Sequence, residues 1–361
     1  MKTFEQHDRV ADTALQRGRS LHRQLKHELK AAGCFAPAPL LQLSHMFVIT
    51  ILFAGAYILL LLEPATGVRG AALLVLAFSS VQAGYIAHEA GHGAITRKRW
   101  LATSIGQFFN TFLTALCYSH FQKIHICHHS HCNERDQDVD LQSGLFSLYP
   151  EAKEAKTSLL GRLVTRHQAY LIWPLVSLQG FTLKIDSLVT LRQNPQKTRV
   201  DQAVLVLHLL LWFGLPVYLL GFANATLNYA LMTWLIGPYL GAVFLVNHIG
   251  THVVRPGERM PSFIQKLTTT RNLGSTRVDD LFFGGLNNHV EHHIFPSIPS
   301  AHLRRARIIT RRFCQQHELC YQEMSWYRAA GEVFRYLQQI ARQPARSAAT
   351  TSREIPGHAG N

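Results

Sequence analysis

The sequence predicts an all-α integral membrane protein: two transmembrane helical hairpins, four spans in all, under a cytoplasmic helical cap that carries a histidine-rich metal site. Three observations predict it. Long runs of the 361-residue chain contain no acidic residue, lysine or arginine, although the formal net charge is +14 and 47% of residues are hydrophobic. The basic residues gather instead in connecting segments and toward both ends. Histidines fall in three clusters beside the apolar runs: His88 and His92; His125, His128 and His129; His289, His292 and His293.

Residues 1–44 read as a polar cytoplasmic helix ending at Ala36–Pro37–Ala38–Pro39, with no short apolar core of the signal-peptide kind. The charge-free runs 45–62 and 70–87 approach the roughly 20 residues that cross a bilayer. They are apolar all round, whereas a soluble helix shows a stripe. Joined by Glu63–Pro64–Ala65–Thr66–Gly67, they make the first hairpin. Residues 100–122 are also free of charge but include Gln107, Asn110 and His120. A full crossing there would put the second histidine cluster on the opposite face from the first, so this stretch reads as an interfacial or re-entrant helix, as does 167–185. The long charge-free run 202–254 holds two spans, 203–222 and 227–246, divided by a turn at 221–224. It ends at Asn247–His248 and His252. A C-terminal cytoplasmic segment, 321–361, follows the membrane domain of 45–320. Its composition from about 343 onward reads as disordered.

Loop charge sets the orientation. The two candidate outer loops carry one basic residue, Arg69, while the N-terminal segment and the region after Arg255 are rich in them. By the positive-inside rule both termini and all the histidine clusters face the cytoplasm. The basic balance then reflects topology and anionic lipid, with no nucleic-acid partner. The six cysteines include no C-x-x-C pair and are expected as free thiols on the cytoplasmic or membrane side, Cys127 and Cys132 among them as packing residues.

The spacing within each cluster lets imidazoles converge. His88 and His92, four apart, share a helix face, and H-x-x-H-H puts at least two rings on one face with a third beside it. Eight such rings exceed what one structural zinc uses. His88–Glu89–Ala90–Gly91–His92 also matches the zinc-protease pattern H-E-x-x-H, with Glu89 as general base. That reading leaves six clustered histidines unexplained. Asp138, Asp140 and Glu291 are candidate acceptors for the second nitrogen of a metal-bound ring. His131, His167, His302 and His317 read as ordinary polar or packing residues.

H-x-x-x-H, H-x-x-H-H and H-x-x-H-H, in that order around two apolar hairpins, resemble the membrane fatty acid desaturase superfamily. The run Gly284–Gly285–Leu286–Asn287–Asn288–His289–Val290–Glu291–His292–His293–Ile294–Phe295–Pro296–Ser297–Ile298–Pro299 is similar to that family's third box and the segment after it, and Asn133 fits as well. The resemblance covers about residues 45–320. It implies two iron ions held by His88, His92, His125, His128, His129, His289, His292 and His293. A further histidine comes from the end of the fourth span, where His248 and His252 are both candidates and Asn247 a polar support. It also implies O2 as co-substrate, removal of two hydrogens from a membrane lipid or other acyl chain, and a separate electron donor of ferredoxin or cytochrome b5 type, the 44 N-terminal residues being too short for a fused cytochrome domain. A lipid or alkane hydroxylase and a carotenoid ketolase share the boxes and remain alternatives. A metal transporter would need ionisable groups within the spans, which the charge-free hairpins lack. The first box is one residue shorter than in many desaturases, and the third begins with His289 where front-end enzymes use glutamine.

Overall fold

The computed structural model describes residues 2–63, 65–142 and 144–343, the side chains of 2–12 excepted. The tail from 344, expected to be disordered, lies outside the described residues. Helices dominate. In order they are α1 (Lys2–Ala31), α2 (Pro39–Leu61), α3 (Thr66–Gly91), α4 (Arg99–Gly106), α5 (Tyr118–Ser130), α6 (Pro150–Glu154), α7 (Leu159–Val176) and α8 (Gln179–Gln193). Then come α9 (Arg199–Leu209), α10 (Leu215–Leu220), α11 (Phe222–His248), α12 (Ser262–Thr269), α13 (Arg277–Phe282), α14 (His289–Ile294), α15 (Ser300–Gln316) and α16 (Trp326–Arg342). Among the described residues there is no strand, only two single bridges.

Among the described residues, four helical stretches are long and apolar enough to cross a bilayer: α2, α3, the continuous 199–220 formed by α9 and α10, and α11, of 23, 26, 22 and 27 residues. At about 1.5 Å per residue each exceeds the ~30 Å hydrocarbon core. They extend past the charge-free windows because polar residues near their ends find partners. Arg69, expected in a loop, lies in the first turn of α3, where its Nε donates to Asn228 Oδ1 at 2.8 Å. Burial separates their roles. In α3, 67% of the apolar window is buried, against 22% in α2 and 17% in 199–220. The outward faces of α2, α10 and α11 present Phe47, Ile51, Ile58, Tyr218 and Phe222, an apolar exposure suited to lipid.

Polar contacts fix how the spans run. Gln42 at the start of α2 reaches Glu89 at the end of α3, and His45 meets Gln82, so these two helices are antiparallel. The Arg69–Asn228 bond joins the starts of α3 and α11, which therefore run the same way and end together at His88 and His248.

The stretches 100–122 and 167–185 are each broken, not single helices. α4 runs into a π-helical turn, Gln107–Phe112, and the chain restarts as α5 only at Tyr118. Pro174 near the end of α7 precedes the break before α8, as expected for a residue with no N–H to give. That second break lies against α11 with almost no space between backbones. A Cβ on Gly237 would sit 2.1 Å from Ser177 O, and one on Gly180 2.2 Å from Thr233 O. Outside the spans, α1, α12, α14 and α15 share a core of Leu25, Leu29, Leu267, Phe295 and Phe313. α16 packs Ala329, Val333 and Leu337 into the core that α7 and α11 also fill, so this helix is continuous with the membrane domain.

Candidate metal centre

The shared end of α3 and α11 is where the histidines meet. α3 supplies His88 in its last turn and His92 just past it. α5 supplies His125, His128 and His129, α14 supplies His289, His292 and His293, and α11 ends on His248. Five of these rings, His88, His92, His125, His129 and His292, can each offer a nitrogen within 4.8 Å of all the others. His128, His248 and His293 form a second such group with Cys132, and His289 joins it, its Nε2 2.7 Å from His248 Nε2 and 3.0 Å from His293 Nε2. The groups adjoin, for the rings of His129 and His293 stack at 4.3 Å between centroids. Nine of the ten candidate histidines are thereby brought together.

His252 is the tenth, and the structure sets it apart. The expectation that it shares a face with His248 needs the helix to continue. It stops at His248, the chain turns through Gly250 at φ +84°, and His252 Nε2 lies 2.8 Å from Glu258 Oε1 on a half-exposed loop.

The arrangement fits metal ions. His92 and His125 bring Nε2 atoms to 2.8 Å, and His129 and His292 to 3.0 Å. Two neutral imidazoles facing nitrogen to nitrogen can share one proton at most, whereas ligands about 2.0–2.1 Å from a common ion sit naturally about 3 Å apart. Burial holds His92 down to about 4. Burial, then mutual repulsion, keeps His125, His129, His289, His292 and His293 far below the ordinary imidazole value. These rings are neutral, the form that binds metal.

Two of the nine have their free nitrogen assigned by the other. His128 Nδ1 donates to the fully buried Asp138 carboxylate at 3.0 and 3.1 Å, leaving Nε2 for an ion. Burial lowers the affinity of His128 for a proton, but the Asp140 and Asp138 charges outweigh it and raise it. His248 Nδ1 donates to Thr269 O at 3.1 Å, again leaving Nε2, while Cys132 Sγ lies 3.5 Å from the same Nδ1. Cys132, expected as a packing residue, is buried and lies directly against the His248 ring. Asp138 is itself pinned by the backbone amides of Asn133 (2.7 Å) and Asp140 (3.0 Å). Asn133, at φ +52°, ties this turn to the end of α11 through Thr251 Oγ1 at 2.9 Å and the carbonyls of His248 and His252 at 3.2 Å.

Glu291 takes no ring. Its carboxylate accepts from Asn272 Nδ2 and Tyr321 OH, both at 2.9 Å, so it fastens α14 to the segments on either side. Asn272 also accepts from Val290 N at 2.8 Å. No local sequence signal marks Asn272, Thr269 or Tyr321, which act across long separations. Asn247 donates to Val243 O, and its buried Oδ1 has no partner among the described residues. Glu89 accepts from Gln42 Nε2 (2.8 Å), Ser300 N (3.0 Å) and Ser300 Oγ (2.9 Å). Both its oxygens are engaged at the start of α15, and the other histidines gathered at the site have no place in a one-zinc protease, so the H-E-x-x-H reading is not favoured. A narrow opening beside His88, His92 and His292 is walled by Tyr85, Leu286, Pro296 and Ile298.

A family model described as fatty acid desaturase matches residues 64–325. Over 73% of this chain the sequence is 26% identical to the Delta(8)-fatty-acid desaturase 2 of Arabidopsis thaliana, covering 62% of that protein. It is 26% identical to the acyl-lipid (9-3)-desaturase of Physcomitrium patens, with 78% of this chain and 55% of that one covered. Against the Delta 8-(E)-sphingolipid desaturase of Kluyveromyces lactis the identity is 25%, over 90% of this chain and 59% of that protein. The chain thus spans about three fifths of the length of these relatives. All nine converged histidines lie within the matched span, and the chain belongs to the fatty acid desaturase family.

Proposed function

We propose that the protein is a membrane-bound fatty acid desaturase, introducing a double bond into a lipid-borne acyl chain with O2 at a di-iron centre. His88, His92, His125, His129 and His292 would hold one iron, and His128, His248, His289 and His293 the other. The convergence of nine histidine rings in two adjoining groups carries the reading. Bound iron supplies redox chemistry that acid–base groups lack, since an unactivated methylene has no acidic proton to remove. The balance is two hydrogens from adjacent carbons, with two electrons and two protons from a donor, reducing O2 to two waters.

The chain's own residues hold and shield. Asp138 and Thr269 keep the ligating nitrogens of His128 and His248 free of protons. The apolar walls at Tyr85, Leu286 and Ile298 suit an acyl chain lying beside His88, His92 and His292, and exclude water there. α2 with α3, and 199–220 with α11, form the two transmembrane hairpins, and the remaining helices form the cap. The basic N-terminal and C-terminal segments favour a cytoplasmic cap, with both termini and the metal centre on that side. An electron donor of ferredoxin or cytochrome b5 type would reach the centre from there. The names of the relatives favour acyl chains carried on complex lipids.

The test is lipid analysis of cells expressing the chain, paired with the metal content of the purified protein. A new unsaturated acyl species with about two irons per chain is expected. Hydroxylated or keto products would move the chain to the oxygenase branch. Zinc with unchanged lipids would refute the reading.

A further inference from the structure

The break between α4 and α5 exposes backbone groups that helices normally pair. The π-helical turn ends at Phe112, Ala115 takes φ +61°, and α5 begins at Tyr118. Side chains from α8, α9 and the break itself take several of these groups. His208 Nδ1 donates to Phe112 O at 2.6 Å, and Lys184 Nζ to Thr114 O at 2.5 Å. Cys117 N donates to Ser187 Oγ at 3.0 Å. Tyr118 N donates to Asp201 Oδ1 at 3.0 Å and to Thr111 Oγ1 at 3.1 Å.

Asp201 is the centre of this joint. It stands in the first turn of α9, where the third candidate span begins, and is 1% exposed. Beyond Tyr118 N it accepts from Thr111 Oγ1 at 2.8 Å and Ser119 Oγ at 2.5 Å. Among the described residues no lysine, arginine or histidine nitrogen pairs with it. A buried carboxylate without a counter-ion is costly. What offsets the cost is the set of donors together with the positive end of the 13-residue α5, the helix that carries His125, His128 and His129.

We propose that Asp201 is a positioning residue for the metal centre, fixing the axial depth and the rotation of α5. The proposal rests on the di-iron reading above. Rotation matters because α5 serves both metal groups: His125 and His129 belong to one and His128 to the other. Neighbouring residues lie about 100° apart around a helix, so a modest turn of α5 withdraws nitrogens from both groups at once. Tyr118 N and Thr111 Oγ1 share Asp201 Oδ1 while Ser119 Oγ takes Oδ2, so both oxygens are engaged, and His120 Nδ1, 2.8 Å from Thr190 Oγ1, adds a tie to α8 on the next residue. Such a set resists both sliding and turning. It also joins the lipid-facing span to the histidine-bearing helix.

The experiment measures ferrous iron binding by detergent-purified full-length chain, and the absorption spectrum of its cobalt(II) form, in wild type, Asp201→Asn, Asp201→Ala and Asn228→Ala. Asn228 sits at the far end of the bundle and reports general destabilisation. Asp201→Ala should weaken iron binding by about tenfold or more and shift the cobalt bands, Asp201→Asn should do so partially, and Asn228→Ala should do neither even at a matched fall in melting temperature. Should the alanine variant not fold, the asparagine variant decides alone, because it keeps the shape and loses the charge. Wild-type iron affinity and cobalt bands in folded Asp201→Asn and any folded Asp201→Ala would overturn the proposal alone. A wild-type chain that takes no iron would overturn both this proposal and the reading beneath it.

Discussion

Replacing Asp138 with asparagine tests the metal centre at its best-defined support. The Asp138 carboxylate is fully buried and accepts from His128 Nδ1 and from the amides of Asn133 and Asp140. Asparagine has one acceptor oxygen where aspartate has two. If that oxygen stays with the backbone amides, the new NH2 faces His128 Nδ1, and the ring relieves the clash by moving its proton to Nε2, the nitrogen an ion needs. A hydrogen bond to a charged group contributes about 1.5–3 kcal/mol, and about 1.4 kcal/mol is a factor of ten, so iron affinity at the His128 group should fall roughly 10- to 100-fold. Asp140→Asn is the matched control. Its carboxylate is 3.2 Å from the same nitrogen, but its side chain is 66% exposed, so the expected loss is only about threefold. The assay is competition against a ferrous chelator with metal per chain as readout: Asp138→Asn should lose one of the two irons first. Equal affinity in Asp138→Asn and wild type, or equal losses in the two variants, would refute the reasoning.

Three further outcomes are expected. His248→Ala should bring iron content down to about half, while His252→Ala leaves it unchanged, because only His248 faces the other rings; a loss in His252→Ala would contradict that placement. Arg271→Ala should destabilise the fold by roughly 2–3 kcal/mol, read as a lower melting temperature in detergent. Arg271 is fully buried and holds Ile249 O at 2.8 Å and Glu332 at 2.7 Å, but Glu332 is 38% exposed, which keeps the figure below that of a fully buried pair. Burial lowers the Lys184 amine to about 7, whereas the unfolded amine keeps its proton to about 10.4. Between those values the unfolded chain binds more protons, so stability should rise with pH from 7 to about 9. Lys184→Met should flatten that slope, and a wild-type profile already flat would rule out the lowered Lys184.

The spans were legible because lipid leaves a local record: an uninterrupted run without charge is visible wherever the partners lie. Their ends were less so, since Arg69 enters α3 only because Asn228, far along the chain, accepts from it. The breaks in 100–122 and 167–185 also escaped the sequence. The first depends on Asp201, His208, Lys184 and Ser187 arriving from other helices to take the freed backbone groups. Asp138 beside His128 was legible, being ten residues away on one turn. Glu291 lies as near to its histidines in sequence, yet its partners are Asn272 and Tyr321. Proximity along the chain proposes a bond, and the rotation of the helix decides it.

The same rotation explains why the second and third boxes have the form H-x-x-H-H. The first and last histidines of such a box are four apart, about 40° around a helix, so they face the same way. The penultimate histidine stands about 100° from the last and faces elsewhere. In α5, His125 and His129 join the group of His88 and His92, while His128 crosses to the group of His248. In α14 the assignment is reversed: His289 and His293 sit with His248, and His292 crosses to His88 and His92. Each box therefore gives a pair to one group and a single ring to the other, and together they interlock the two. The first box, His88 and His92, has only the pair and serves one group, which is why the other needs a ring from the end of α11. A lone zinc ion has no use for such crossing, since the pair alone fills its face. Two adjacent ions, as proposed, would have such a use, because the single rings would hold the two sites at a set separation.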